Sequence, residues 1–184
     1  IGPRHARNFR PLGARIAMGV DPTLARREAF AAEFGVTTVA TVEEALQHEA
    51  ELVVIGSPSR FHVEQATRFA AAGRHLLIEK PLGTNLDGVD ELVATIEHTG
   101  VFAHVGSNFK FHPALIEIRR LLDERAVGTV TAAQVLAGQW LPGWHPKEDY
   151  RQGYSARREL GGGIVLDTHE FDYIAWLLGP VTAV

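Results

Sequence analysis

Short, nearly continuous apolar runs recur between Arg15 and Val130: Ile16–Val20, Leu52–Ile55, His75–Ile78 and Phe102–Val105, each bounded by turn residues. Runs this apolar have no wet face, so they read as parallel strands covered on both sides. Val36–Val39 is a weaker candidate of the same kind. Between them, Thr23–Phe34, Val42–His48, Phe61–Ala72 and Leu86–His98 carry apolar residues at helical spacing, with charges on the opposite face. Thr41 and Ser59 stand where N-caps are expected, and Gly35, Gly73 and Gly100 where helices should stop. Repeated strand–helix alternation predicts an α/β doubly wound parallel sheet.

The rhythm breaks after Gly128. Thr129–Leu136 alternates like a strand, an aromatic-rich irregular stretch runs from Gln139 to Tyr154, and Gly161–Gly163 precedes a helix-like run from about Val165 to Leu178. Val181–Val184 would begin another strand. One strand, a loop and one helix do not close a core of their own. At the other end, Ile1-Gly2-Pro3 leads straight into a helix, with Pro3 suited to its first turn. No apolar strand precedes it, and the chain reads as cut at both ends.

Composition narrows the function classes. Hydrophobic residues make up 46% and charged residues 22% of 184, the mix of a globular protein with a real core. A net charge of −4, without a clustered basic stripe, gives no reason to expect nucleic acid or a membrane surface as partner. Cysteine is absent, which removes disulfides, thiolate metal sites and cysteine nucleophiles. No apolar run reaches the ~20 residues of a membrane span, so the expected compartment is the cytoplasm. No His/Asp/Glu spacing, His145 and His169 included, matches a metal-ligand pattern, and the metal expectation is none.

Chemistry concentrates at the strand ends, where open α/β sheets collect ligands. Gly2 fits the last glycine of a phosphate-binding turn that opens a helix. Asp21 ends Ile16–Val20, at the place where a carboxylate accepts from the adenosine ribose hydroxyls; alternatively it starts an Asp-Pro turn and caps the next helix. Its charge favours NAD over NADP, while Arg26 and Arg27 leave NADP open. After Leu52–Ile55 comes Gly56-Ser57-Pro58-Ser59-Arg60-Phe61-His62. Ser57, Pro58 and His62 are cofactor-side candidates there, against the simpler reading of a helix-starting turn. After His75–Ile78 comes Glu79-Lys80-Pro81. Two adjacent charges at a buried strand terminus are costly unless paired or used. A lysine in a partly dehydrated crevice holds a substrate hydroxyl and stabilises negative charge on it. Pro81 fixes the chain direction, with a cis bond as one option; the alternative is a solvated surface ion pair.

These motifs occur together and in order. Gly2…His5-Ala6, Val20-Asp21, Ser57-Pro58…His62, Ala72-Gly73, Glu79-Lys80-Pro81-Leu82, Asn108…His112-Pro113 and Val127-Gly128 resemble the cofactor domain of the Gfo/Idh/MocA oxidoreductases, the group named for glucose-fructose oxidoreductase and inositol dehydrogenase. Gly161–Gly163, Asp167, His169, Asp172 and Trp176-Leu177-Leu178-Gly179 resemble the start of that family's second domain. The implied organisation is a dinucleotide-binding domain over residues 1–127 without its first strand, and over 128–184 the beginning of an α+β domain for substrate and oligomerisation. The resemblance implies hydride transfer between nicotinamide (NAD, NADP left open) and a sugar, nucleotide-sugar or cyclitol. It makes His169 the base and Lys80 the group that polarises the same hydroxyl. Asp172, one turn on, is placed to orient the imidazole. Asp167 is matched less closely, because only Thr168 separates it from His169. Glu79 and Asn108 join the expected cofactor contacts. Trp144, Tyr154 and Arg157 are substrate candidates by stacking and anion clamping, with packing of the loop as the equal alternative. A sugar-like small molecule and a homo-oligomer are the expected partners. A non-catalytic nucleotide-binding module, or an inactive fragment of the enzyme, are the competing readings.

Overall fold

The computed structural model describes residues 1–138, 140–144, 149–153, 156–160, 162 and 168–184. These form two compact units, Ile1–Val105 and Gly106–Val184.

The first unit is built on five parallel strands in two sheets. Strand β1 (Met18–Val20) pairs with β2 (Thr37–Val39), while β4 (His75–Ile78) lies between β3 (Leu52–Ile55) and β5 (Ala103–Val105). Register runs Leu52 opposite His75 and Ile55 opposite Ile78, so β3 and β4 end level. Helices α1 (Gly2–Phe9), α2 (Leu24–Phe34), α3 (Val42–Leu46), α4 (His62–Ala71) and α5 (Val89–Thr99) connect or flank them. The continuous apolar runs become strands because both faces are covered: Leu76 is fully buried and Ile78 nearly so. In α4, the buried residues His62, Ala66, Phe69 and Ala70 form one stripe, the spacing that brings a helical face onto a sheet. Ala66, Phe69 and Ala70 join Ala45, Ile55, Leu76, Ile78, Leu92 and Val101 in the core.

The helix signals hold in part. Thr41 caps α3 in a reciprocal box: its hydroxyl accepts from the Glu44 N–H at 3.2 Å, and Glu44 accepts from the Thr41 N–H at 3.2 Å. Gly35 and Gly100 end α2 and α5 in the left-handed conformation. Ser59 does not cap α4; it is buried and opens a 3-10 turn, Ser59–Phe61, one step earlier. At Gly19 the backbone of β1 touches α2, because a Cβ there would lie 2.6 Å from the Phe30 ring.

In the second unit, α6 (Pro113–Asp123), α7 (Leu141–Trp144) and α8 (His169–Leu178) are the α-helices among the described residues. The sequence reading has no helix at α6. It starts at Pro113 with the His112 ring accepting from the Ala114 N–H at 3.2 Å, and Arg120 bridges Glu117 and Glu124 along its exposed side. Thr129–Leu136 and Val181–Val184, expected as strands, are not strands. Alternation supplies one apolar face, but a strand also needs a neighbour to take its N–H and C=O groups. No helix among the described residues is long and apolar enough to cross a membrane.

Leu76 sits on the central strand with its side chain wholly enclosed, so Leu76→Ala should cost about 2–5 kcal/mol. The expected readout is a lower urea midpoint at unchanged slope. A loss under about 1 kcal/mol would contradict a closed core at β4.

Candidate active site

Parallel pairing delivers the carboxyl ends of β3 and β4 to the same edge, and α1 begins beside them. The Ile1 side chain lies against Gly56, where an added Cβ would be 2.7 Å from it. His5, one turn into α1, brings Nε2 to 2.6 Å from Oε1 of Glu79. The start of α1, the turn after β3 and the turn after β4 therefore converge.

Glu79 is the hinge of this edge. Its side chain and that of His5 are 21% and 20% exposed, so the strand-end charge is paired rather than solvated. Burial pushes its carboxyl up. The bond and charge of His5, with the N–H and charge of Lys80, outweigh that and hold it below the ordinary value. Oε2 also takes the Lys80 N–H at 3.3 Å. Lys80 is half-buried, and the Lys80–Pro81 bond is cis.

Ser57 donates its hydroxyl to Oε1 of Gln65 at 2.8 Å, and Pro58 leads into the following 3-10 turn. His62, expected beside the cofactor, is 1% exposed. Both of its ring nitrogens face main-chain carbonyls, Nδ1 that of Pro81 and Nε2 that of Ser57, each at 2.8 Å. The ring thus lies under the crevice rather than in it.

At the end of β1, Asp21 plays the turn role: Oδ1 accepts from the Thr23 N–H at 2.8 Å. Its Oδ2 lies 3.7 Å from Arg26. Arg27 is turned to the main chain, donating to the carbonyls of Asp21 at 2.8 Å and Pro22 at 3.1 Å. Gly2 has nothing within 4 Å of the space a Cβ would occupy.

In the second unit, Asn108 is exposed and precedes a 3-10 turn, Phe109–Phe111. That turn grips the start of α8. The Phe109 ring stacks on the His169 imidazole at 4.2 Å between centroids and 2° between planes, and Lys110 Nζ lies 3.5 Å from Asp172 Oδ1. Asp172 Oδ2 is buried and accepts no hydrogen bond among the described residues. The carboxylate expected to orient the imidazole is thus committed in part to Lys110, and Phe109 sets the ring plane. Arg119 of α6 donates to the Trp176 carbonyl and lies over the Trp176 ring, joining α6 to α8. Arg157 is exposed. Tyr154 and Asp167 lie outside the described residues, as does the side chain of Trp144.

Residues 1–107 match the family model described as an oxidoreductase family with an NAD-binding Rossmann fold, and residues 115–184 match the Gfo/Idh/MocA C-terminal domain. The chain belongs to the Gfo/Idh/MocA oxidoreductase family. Among relatives, it is 29% identical to the 1,5-anhydro-D-fructose reductase of Ensifer adhaerens over 96% of this chain and 53% of that one. It is likewise 29% identical to the inositol 2-dehydrogenase of Rhizobium meliloti over 90% of this chain and 48% of that one. In fold it is similar to the WlbA dehydrogenase from Bordetella pertussis, solved with NADH and UDP-GlcNAcA. The TM-score is 0.74 at 23% identity, over 91% of this chain and 49% of that one. The chain thus spans about half the length of the relatives it matches.

The sequence reading gives no role to His5 of the first unit, which binds Glu79, or to Phe109 and Lys110 of the second, which contact His169 and Asp172. An aromatic and a lysine in the turn directly after a strand end were the available signal.

Because its carboxyl is held below the ordinary value, Glu79 stabilises the fold above the usual carboxylate range. That contribution is lost as pH falls through its lowered value. Glu79→Gln should therefore lower stability by about 1–2 kcal/mol near neutral pH, with the difference from wild type shrinking in acid. Thermal melts across that range check it; a difference that grows toward low pH would contradict the pairing.

Proposed function

We infer that this chain carries the cofactor-binding half and the first part of the substrate half of an enzyme that moves a hydride between NAD and a hydroxyl or keto group of a sugar, nucleotide-sugar or cyclitol. One observation carries the reading furthest: the first turn of α1 and Lys80 meet at one edge, tied by the His5–Glu79 bond. A helix N-terminus with open space at Gly2 suits a pyrophosphate, and a half-buried lysine beside it suits a substrate oxygen that develops negative charge.

The residues present fit a dinucleotide. Gly2 and the start of α1 would hold the diphosphate, and Asp21 the adenosine ribose. Ser57, Pro58, Glu79, Lys80 and Asn108 are assigned to the nicotinamide side. When bound, the nicotinamide supplies the carbon that takes or gives the hydride. The chain's own work is proton handling and orientation. Lys80 holds the substrate hydroxyl and stabilises its oxygen as the proton leaves; His169 takes that proton. The flat stack on Phe109 limits the imidazole to one plane, and the Lys110–Asp172 pair places a carboxylate one turn further along α8. Asp167 is assigned to the same acid–base group, and Trp144, Tyr154 and Arg157 to the sugar. His62 acts from beneath the crevice. The relatives named for inositol and anhydrofructose, and the neighbour solved with a UDP-sugar acid, support a polyhydroxylated substrate.

The test is NADH binding followed by nicotinamide fluorescence, together with turnover on a panel of cyclitols, ketoses and UDP-sugars. Lys80→Ala should reduce turnover at saturating NADH by about 100–1,000-fold. Unchanged turnover in Lys80→Ala would sink the assignment.

A further inference from the structure

His62 is the one polar side chain among the largest fully buried groups, beside Leu76 and Ile78. It opens α4, and its ring spans two loops that follow neighbouring strands. Nδ1 meets the carbonyl of Pro81, three residues past β4, and Nε2 meets that of Ser57, two residues past β3. A carbonyl oxygen only accepts, so the ring, 2.8 Å from each carbonyl, donates its N–H to one of them and lies in contact with the other. Such a bond is short, enclosed and directional, and losing it would leave a buried carbonyl unsatisfied.

The position of the ring matters more than the number of its bonds. Pro81 is the residue after Lys80, and the Lys80 N–H already binds Glu79, which His5 holds from α1. The main chain of Lys80 is therefore gripped on both sides, by His5 through Glu79 before it and by His62 through Pro81 after it. Lysine has a long, flexible side chain, and where its ammonium can reach is set first by where its backbone is anchored.

We propose that His62 is a positioning residue for Lys80: its ring, held between the carbonyls of Ser57 and Pro81, ties the Ser57 turn to the Pro81 turn and fixes the backbone from which Lys80 reaches the substrate oxygen. This rests on the hydride-transfer reading above. His62→Gln offers donors at only one end of its side chain and keeps at most one of the two contacts. It should lower kcat at saturating NADH by about 10–100-fold. In a Lys80→Ala background the same substitution should cost almost nothing further, because the group it positions is gone.

Full additivity of the two substitutions, or an unchanged kcat in His62→Gln, would overturn the proposal. If His62→Gln does not fold, the wild-type protein still decides. Nitrogen-15 NMR of the folded chain should show a His62 ring N–H protected from exchange and hydrogen-bonded to a main-chain carbonyl, and a ring N–H that exchanges freely with water would overturn the clamp. A wild-type protein that binds no NADH and turns over no sugar would instead fail the functional reading, while the NMR result judges the clamp separately.

Discussion

Parallel strand pairing is the constraint from which the rest follows. Because β3, β4 and β5 run the same way and β3 and β4 end in register, their carboxyl-terminal turns reach one edge together. Antiparallel strands would have split those turns between opposite edges. The same pairing encloses β4 on both faces and both sides, so Leu76 and Ile78 anchor the core while the next residue, Glu79, emerges at the rim. The step from buried Ile78 to the charged pair Glu79-Lys80 takes one residue.

That abruptness would be costly without compensation, since a charge at a buried terminus loses water on several sides. The structure resolves it locally. Glu79 is satisfied by His5 and by the Lys80 N–H, and the carbonyls of Ser57 and Pro81 face the His62 ring. Two histidines from different helices thus meet the polar groups that follow β3 and β4. In the second unit an aromatic face and a lysine serve the corresponding purpose for His169 and Asp172.

What could be read from the sequence divides along a physical line. The bounds of β3 and β4 were plain, because a continuous apolar run between turn residues has few other fates. The helices α2 to α5 were readable from spacing and, for α3, from its cap. The Glu79-Lys80-Pro81 triplet could be singled out as costly in isolation. Its compensation could not, because the partner of Glu79 lies 74 residues away in the chain and no local pattern carries that distance. His62 follows a strand end and so reads as a cofactor-side candidate or as part of a helix-starting turn, but a side chain's direction is set by packing that spacing does not encode. Thr129–Leu136 failed differently: alternation states that a segment suits a half-buried strand, not that a neighbour is there to pair with it. The helix α6 is marked by Pro113 at its first turn and by charge spacing, but it buries no residue, so it lacks the buried stripe that α4 lays on the sheet.

The close approach at Gly19 bears on the other end of the crevice. With no side chain on β1 at that point, the Phe30 ring of α2 comes down onto the backbone, and Phe30 in turn leans on Phe34 at 4.4 Å between centroids. The turn joining β1 to α2 is the one that holds Asp21, capped by the Thr23 N–H. A single absent methyl group therefore governs the separation of strand and helix, and through it the tolerance to which the Asp21 carboxylate is held. Even alanine at position 19 would act like a shim driven under the helix, felt two residues later at the turn.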